Sequence, residues 1–265
     1  MSLRISILIA TLGERRDEMI RLFDSLTAQD YIDLEVVVVA QNGFELIKKL
    51  CDSYSDRLDI RYIATEKAGL SRARNIGLRE SSGDIVLITD DDCWYREGAL
   101  EDIATFFIND EDIDILLTQI YDPVSGTTYK RYPRKKAVLT NTIQVLTKSS
   151  DEIAIRMKGP VLEFDESFGL GAEYVAGEEN DYLVRALKNG KVIHYEPIIT
   201  VYHRKKLGGS SSDQLIAKGA FYAKKFGFAV SNMVLLRDLL KKRQNNYKWF
   251  WKGYYEYKKQ NKRMR

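Results

Sequence analysis

The chain has 265 residues, 41 Lys/Arg against 38 Asp/Glu, and a formal net charge of +3, a size that suits one large domain or one domain with an appendage. A hydrophobic content of 45% with only four prolines excludes a linker-rich or disordered chain. Two cysteines, Cys51 and Cys93, and two histidines, His194 and His203, exclude a disulfide framework, a four-thiolate zinc site and a multi-histidine metal centre. The thiols read as free in a reducing compartment. The apolar run from Ile5 to Ala10 is too short for a signal core, and no apolar stretch approaches the roughly eighteen residues of a membrane span, which predicts a soluble, cytoplasmic protein.

Charge is unevenly distributed. Residues 241–265 carry ten bases and one acid, Glu256, whereas residues 1–240 hold 31 bases and 37 acids. An acidic body with a basic tail is a poor nucleic-acid binder, and no nucleic-acid partner is expected.

Taken in chain order, Ile5–Ile9, Glu35–Val39, Ile60–Ile63 and Ile85–Ile88 are short β-branched runs. Two of them are apolar on nearly every residue, as in strands covered on both faces. Met19, Ile20, Phe23 and Leu26 recur at helical spacing, a second helix begins at Phe44, and a third spans Leu70 to Arg79. Alternating strands and helices with short connections predict an α/β fold built on a mainly parallel sheet. A fourth helix is expected at Glu97–Phe107, strands at Ile113–Tyr121, Val192–Tyr195 and Ile198–Tyr202, and a helix from Glu178 to the Asn189-Gly190 cap. The stretch Asp122–Gly177 reads as irregular, and the sequence from Ser210 as helical to its end, opened by a capping signal at Ser211-Ser212-Asp213.

Ligands of open parallel sheets bind beyond the carboxyl ends of the strands. Three polar segments occupy those places: Ala10–Arg15, Ala40–Gly43 and Thr89–Asp92. The adjacent carboxylates Asp90, Asp91 and Asp92 repel one another unless a cation sits between them. Mg²⁺ or Mn²⁺ would take such oxygens together with phosphate oxygens, although an acidic turn capping the next helix has the same sequence.

Four segments appear in order: Ile5–Thr11, Val36–Gly43, the Gly69–Gly77 stretch with Ala73-Arg74-Asn75-x-Gly77, and Ser82-Gly83-Asp84 running into the acidic triplet. They are followed by Ala176-Gly177-Glu178-Glu179-Asn180-Asp181-Tyr182-Leu183-x-Arg185. With this pattern the sequence resembles the family 2 glycosyltransferases of the GT-A fold, of the bacterial capsule and exopolysaccharide type, over about residues 4–205. The resemblance implies a metal-dependent, inverting transfer of a sugar from a nucleotide-diphosphate donor to a saccharide or lipid-linked saccharide hydroxyl. It implies Asp92 as the metal ligand and Asp90 or Asp91 at the donor ribose or a metal-bound water. Thr11 and Glu14 would border the base, Arg74 would lie near base or diphosphate, and His203 would complete the metal or diphosphate site. Glu179 is implied as the catalytic base, with Asp181 as its competitor. Where the family carries an Asp pair, this chain has Gln41-Asn42; a Gln amide still complements a pyrimidine edge, but the base is left open. Cys93 reads as packing, His194 as part of the sheet, and Phe168–Ala172 either as a loop closing over the donor or as an ordinary turn. A nucleotidyltransferase and a non-catalytic nucleotide-sugar-binding scaffold are the competing readings.

The sequence divides into a catalytic domain, 1–205, and a basic, aromatic-rich helical extension, 206–265. The last 25 residues interleave their ten bases with seven aromatics. That composition fits attachment to an anionic membrane surface, at the inner face of the plasma membrane, or a helical cap packed on the domain.

Overall fold

The computed structural model describes residues 3–205, 211–240 and 247–263. The boundary expected at 205/206 adjoins residues 206–210, and the basic run 241–243 falls within 241–246; both stretches lie outside the described residues.

The elements follow in the order β1 (Ile5–Thr11), α1 (Arg16–Thr27), β2 (Leu34–Ala40), α2 (Phe44–Asp52), β3 (Asp59–Ala64), α3 (Leu70–Glu80), β4 (Ile85–Asp90), β5 (Trp94–Tyr95) and α4 (Ala99–Asn109). They continue with β6 (Ile115–Asp122), β7 (Thr127–Thr128), β8 (Ala137–Leu139), α5 (Thr142–Val145), a 3₁₀ turn (Ser150–Glu152), β9 (Ile153–Arg156), α6 (Glu178–Lys188) and β10 (Ile193–Tyr202). Three helices close the chain: α7 (Ser212–Lys225), α8 (Phe228–Leu240) and α9 (Tyr247–Arg263).

The sheet runs β3-β2-β1-β4-β9-β6-β10-β5. Its first four strands are parallel, as the alternating pattern requires. All seven residues of β1 are buried, because side chains of successive residues face opposite sides of a sheet covered on both. Ile5, Ile7 and Ile9 enter the core shared with Phe23 of α1, Ile47 of α2 and Phe107 of α4. Leu8 enters the opposite core, with Tyr182 and Leu183 of α6, Phe221 of α7 and Phe250 of α9.

Two expectations are corrected. The stretch Asp122–Gly177 is not simply irregular: β9 lies antiparallel between β4 and β6, with Val86 opposite Ile155 and Leu116 opposite Ala154, so the sheet is mixed. Four residues, Ile-Ala-Ile-Arg, are too few to carry a periodicity, and the two flanking edges make them a strand. The two runs 192–195 and 198–202 form the single strand β10, whose register against β6 shifts between Tyr195 and Ile199. Pro197, which has no N–H for a ladder, is accommodated at that irregularity.

The C-terminal helices pack closely. Ser211 and Gln214 form a reciprocal capping box that starts α7. Further along, α7 meets α9 backbone to backbone. A Cβ on Gly219 would stand 1.9 Å from the carbonyl oxygen of Phe250, and one on Gly253 would stand 2.0 Å from that of Ile216. Neither helix can carry a side chain at its crossing point. Gly253→Ala must therefore push the helices apart and should cost about 1–3 kcal/mol, the range of overpacked cores, read as a lower urea midpoint. Gly227, with nothing near its Cβ position, is the control; equal midpoints for Gly253→Ala and Gly227→Ala would contradict the close crossing.

Candidate active site

The loops after β1 and β2 and the end of β4 surround a cavity of about 150 Å³, lined by Leu12, Glu14, Arg15, Gln41, Asp90 and Asp91. Its far wall is the start of α3 and the Leu170-Gly171 turn. That turn is pinned: Leu70 N–H donates to Leu170 O at 2.8 Å, and Ser71 Oγ donates to Phe168 O at 2.5 Å. Phe168 itself is fully buried. The amide oxygen of Gln41 accepts the N–H of Gly69 at 2.7 Å, so Gln41 both lines the cavity and holds its wall. Asn42 is exposed and is not among the lining residues.

Each member of the acidic triplet has a different set of partners. Asp90 accepts from Arg74 Nη2 at 2.8 Å and from Ser150 Oγ at 3.2 Å, while its N–H donates to Asp151 Oδ1 at 2.8 Å. Asp91 accepts from Thr11 Oγ1 at 2.7 Å and Arg15 Nη1 at 2.9 Å. Asp92 meets Arg15 Nη1 at 2.7 Å and His203 Nε2 at 3.0 Å. Burial raises the pKa of Asp91 against the opposing effects of Thr11 and Arg15. The buried Asp151 is pushed up to about 8, by burial first and then by the charge of Asp90. Burial alone would lower the pKa of His203, but its bond to Asp92 and the charge of Asp151 raise it. Cys93 donates its thiol to Asp90 O, and burial holds that thiol well above its usual range, which suits packing rather than nucleophilic chemistry.

Arg74 lies on α3 but is only 1% exposed. Its guanidinium joins Asp90 to Glu178 Oε1 at 3.2 Å, the first residue of α6. One and three residues after Arg74 the same motif does other work. Asn75 exchanges two hydrogen bonds with the backbone of Phe164, and Gly77 admits the side chain of Leu8 from β1.

Glu179 is half-buried at the first turn of α6. It opens on a second cavity of about 290 Å³ with Thr147, Asn180 and, from α7, Gln214 and Lys218. Burial, reinforced by neighbouring Glu178, pushes its carboxyl up to about 8. Asp181 points elsewhere. It is fully buried and held by Arg185 at 2.5 Å, Lys224 at 2.6 Å and Lys225 at 2.7 Å, cations that overcome burial and lower its pKa.

Glu14, Gln41, Asp90 and Asp91 thus line the first cavity, Thr11 supports Asp91, Asp92 pairs with His203, and Arg74 sits behind the triplet. Glu179 faces the second cavity, and Asp181 ties α6 to α7. Arg15, Asp151 and Glu178 as the partner of Arg74 are not legible as site residues from the sequence. Arg15 ends a polar loop marked as a ligand-binding place, but nothing in the sequence singles it out within that loop, and Asp151 lies in the stretch that carries no pattern. Carboxylate oxygens at 90–92 suit a hard divalent cation, which commonly takes one or two protein carboxylates and completes its shell with ligand phosphate. Among the described residues no three His, Cys, Asp or Glu side chains form a ready ligand group. Asp91 and Asp92 could therefore contribute to such an ion together with a ligand's phosphate, but the described residues do not cage one alone.

Comparison with known proteins gives these features a family. The Glycosyl transferase family 2 model matches residues 6–162, more than half of the chain. Glycosyltransferase GlyA of Streptococcus pneumoniae is 37% identical over 83 residues, 31% of this chain and 12% of that protein. The poly(ribitol-phosphate) beta-N-acetylglucosaminyltransferase TarS of Staphylococcus aureus is 26% identical over 122 residues, 44% of this chain and 21% of TarS. The chain thus spans well under half the length of these relatives. A TarS crystal structure in complex with UDP-GlcNAc superposes with a TM-score of 0.68 at 20% identity, over 84% of this chain and 66% of that one. A mannosyltransferase from Pyrobaculum calidifontis, solved with GDP-Man and Mn²⁺, gives 0.61 at 16% identity, over 87% and 65%. With the mixed sheet and flanking helices shared with those structures, and the family model running from β1 past the acidic triplet, the chain belongs to glycosyl transferase family 2 and has the GT-A fold.

Proposed function

We propose that this protein is a metal-dependent, inverting glycosyltransferase that moves a sugar from a nucleoside-diphosphate donor to the hydroxyl of a saccharide or lipid-linked saccharide, in cell-surface polysaccharide synthesis. The observation that carries this reading is a pair of cavities at the two ends of the Asp90–Arg74–Glu178 bridge, one lined by Asp90, Asp91 and Gln41 and the other by Gly177 and Glu179, the neighbours of Glu178. The donor would occupy the first cavity, with the Gln41 amide facing the base and the diphosphate toward the acidic triplet. Asp92, with His203 beside it and Asp90 or Asp91, would hold Mn²⁺ or Mg²⁺, which when bound neutralises charge on the departing diphosphate. The UDP-GlcNAc of the TarS complex and the GDP-Man with Mn²⁺ of the mannosyltransferase complex support this class of donor.

Glu179 would take the proton of the acceptor hydroxyl. The oxygen then forms its bond to the anomeric carbon as the bond from that carbon to the phosphate oxygen breaks, and the electron pair leaves with the diphosphate. A single base on the far side from the leaving group gives inversion. Asp181, surrounded by three cations, is a positioning residue for α6 and a poorer choice of base.

A carboxyl raised to about 8 is mostly protonated at neutral pH, so turnover should climb with pH and level off above about 8. Ionising it also disfavours the fold, and stability should fall across the same rise. Glu179→Gln should lower kcat by about a hundredfold, flatten that profile and leave donor affinity nearly unchanged. A steady-state pH series with a panel of UDP-, GDP- and dTDP-sugars and Mn²⁺ measures this. An unchanged profile in Glu179→Gln would remove Glu179 as the base. Failure of every sugar donor, with nucleotidyl transfer to a sugar phosphate instead, would overturn the function.

The extension would attach this chemistry to an anionic membrane at the cytoplasmic face. Supporting this, Phe228 (54%), Met233 (61%) and Leu236 (58%) of α8 and Tyr247 (51%) and Tyr255 (57%) of α9 are all exposed. They adjoin an apolar groove of about 410 Å³ that includes Trp251. Tyr247, Trp251 and Tyr255 recur every four residues on one stripe, flanked by exposed Lys248, Lys252, Lys259 and Lys262. No described helix is long and apolar enough to cross a membrane. The protein should co-sediment with phosphatidylglycerol vesicles and not with phosphatidylcholine alone, and Met233→Glu with Leu236→Glu should abolish sedimentation. Equal binding to both vesicle types, or no effect of the double variant, would exclude this face.

A further inference from the structure

The acidic triplet is served by two arginines in contrasting settings. Arg74 is enclosed between α3, β4 and α6 and cannot leave without opening the core. Arg15 stands at the N-cap position of α1 with its side chain 42% exposed, on the wall of the first cavity. One nitrogen, Nη1, reaches Asp91 Oδ1 at 2.9 Å and Asp92 Oδ2 at 2.7 Å. The other oxygens of these carboxylates meet Thr11 Oγ1 and His203 Nε2. The protein thus supplies its own cation where the sequence alone calls for a metal ion.

Only the arginine's side of this pair is open to solvent, 42% exposed against 11% and 14% for the two carboxylates, and its side chain is long enough to turn from them into the cavity it already lines. Its planar guanidinium is also well matched to phosphate oxygens. We propose that Arg15 is an exchangeable counter-ion. At rest it neutralises Asp91 and Asp92, and it transfers to the diphosphate of the incoming donor as a divalent cation takes its place on the carboxylates. Toward the cation alone Arg15 is a competitor; toward a nucleoside diphosphate it is a binding residue. The second half rests on the donor reading given above, whereas the first concerns only the carboxylates and a cation.

Direct binding separates the two halves. Mn²⁺ alone is titrated into wild type, Arg15→Met and Arg15→Lys, with free Mn²⁺ followed by electron paramagnetic resonance. UDP and GDP are then titrated calorimetrically at saturating Mn²⁺, and circular dichroism checks that each variant is folded. Removing the competitor should tighten Mn²⁺ binding by about fivefold, and removing a charge-assisted phosphate contact should weaken nucleoside-diphosphate binding by about tenfold or more. Arg15→Lys should fall between wild type and Arg15→Met in both titrations. Opposite changes in the two titrations support the exchange, since an arginine that merely held its loop would weaken both when lost. Unchanged, weaker or absent Mn²⁺ binding in Arg15→Met overturns the proposal. Tighter Mn²⁺ binding with no nucleotide bound by any variant would overturn the donor reading and leave the competition standing. Equal nucleotide affinity in wild type and Arg15→Met would overturn the transfer to diphosphate.

Discussion

The guanidinium of Arg74 is the interaction on which the site depends. It is buried, and it ends one of its forks on Asp90 at the last residue of β4 and the other on Glu178 at the first residue of α6. A buried charge is tolerated only when its partners are fixed, and loss of one partner leaves an uncompensated ion in a low-dielectric interior. The partners are fixed from both sides. Ser71, Arg74 and Asn75 share one face of α3, at the three- and four-residue spacings of a helix. Ser71 and Asn75 bond the backbone at Phe168 and Phe164, so α3 clamps the polypeptide that leads into α6. The carboxyl end of the parallel half-sheet and the amino end of α6 are thereby held in one register.

Around that bridge carboxyl groups are gathered where burial disfavours their ionisation. Asp151 and Glu179 are both raised to about 8, one chiefly by burial beside Asp90 and the other by burial beside Glu178. On the function proposed above, a carboxyl raised toward the operating pH is the better matched to exchange a proton. The same α6 carries the opposite case. Asp181, two residues beyond Glu179, is kept ionised by Arg185, Lys224 and Lys225 and joins α6 to α7. Two acids of one helical turn are separated by their surroundings, not by their chemistry.

The C-terminal helices form the packed cap that one reading of the basic, aromatic sequence expects, and turn other aromatics of the same sequence outward. Phe250 and Tyr254 of α9 are buried, and Gly253 brings its backbone against α7, so that face is a cap on the domain. The stripe of Tyr247 and Tyr255 faces outward with lysines beside it. An α-helix of seventeen residues has room for both, because residues 100° apart belong to different faces. Composition counts aromatic residues without knowing which face each one occupies.

The sequence by itself determined the elements whose signal is local. Buried strands betray themselves as unbroken β-branched runs, the helices of the first half show their apolar spacing, and the motif from Ala73 to Gly77 followed by the triplet marks the family. His203 came with the family resemblance, but the sequence could not determine the other partners of the triplet, because Arg15 lies 76 residues from the Asp91 carboxylate and Asp151 lies 61 residues from Asp90, whose N–H it accepts. Nor could it tell Glu179 from Asp181, which have the same charge and sit in the same helical turn. Ionisable side chains take their roles from desolvation and from charges brought close by the chain's folding, and both quantities exist only once β9 has closed the sheet and α7 has packed on α6. The three adjacent aspartates made the point most directly: read along the chain they lack a cation, and in the folded molecule two arginines and a histidine already surround them.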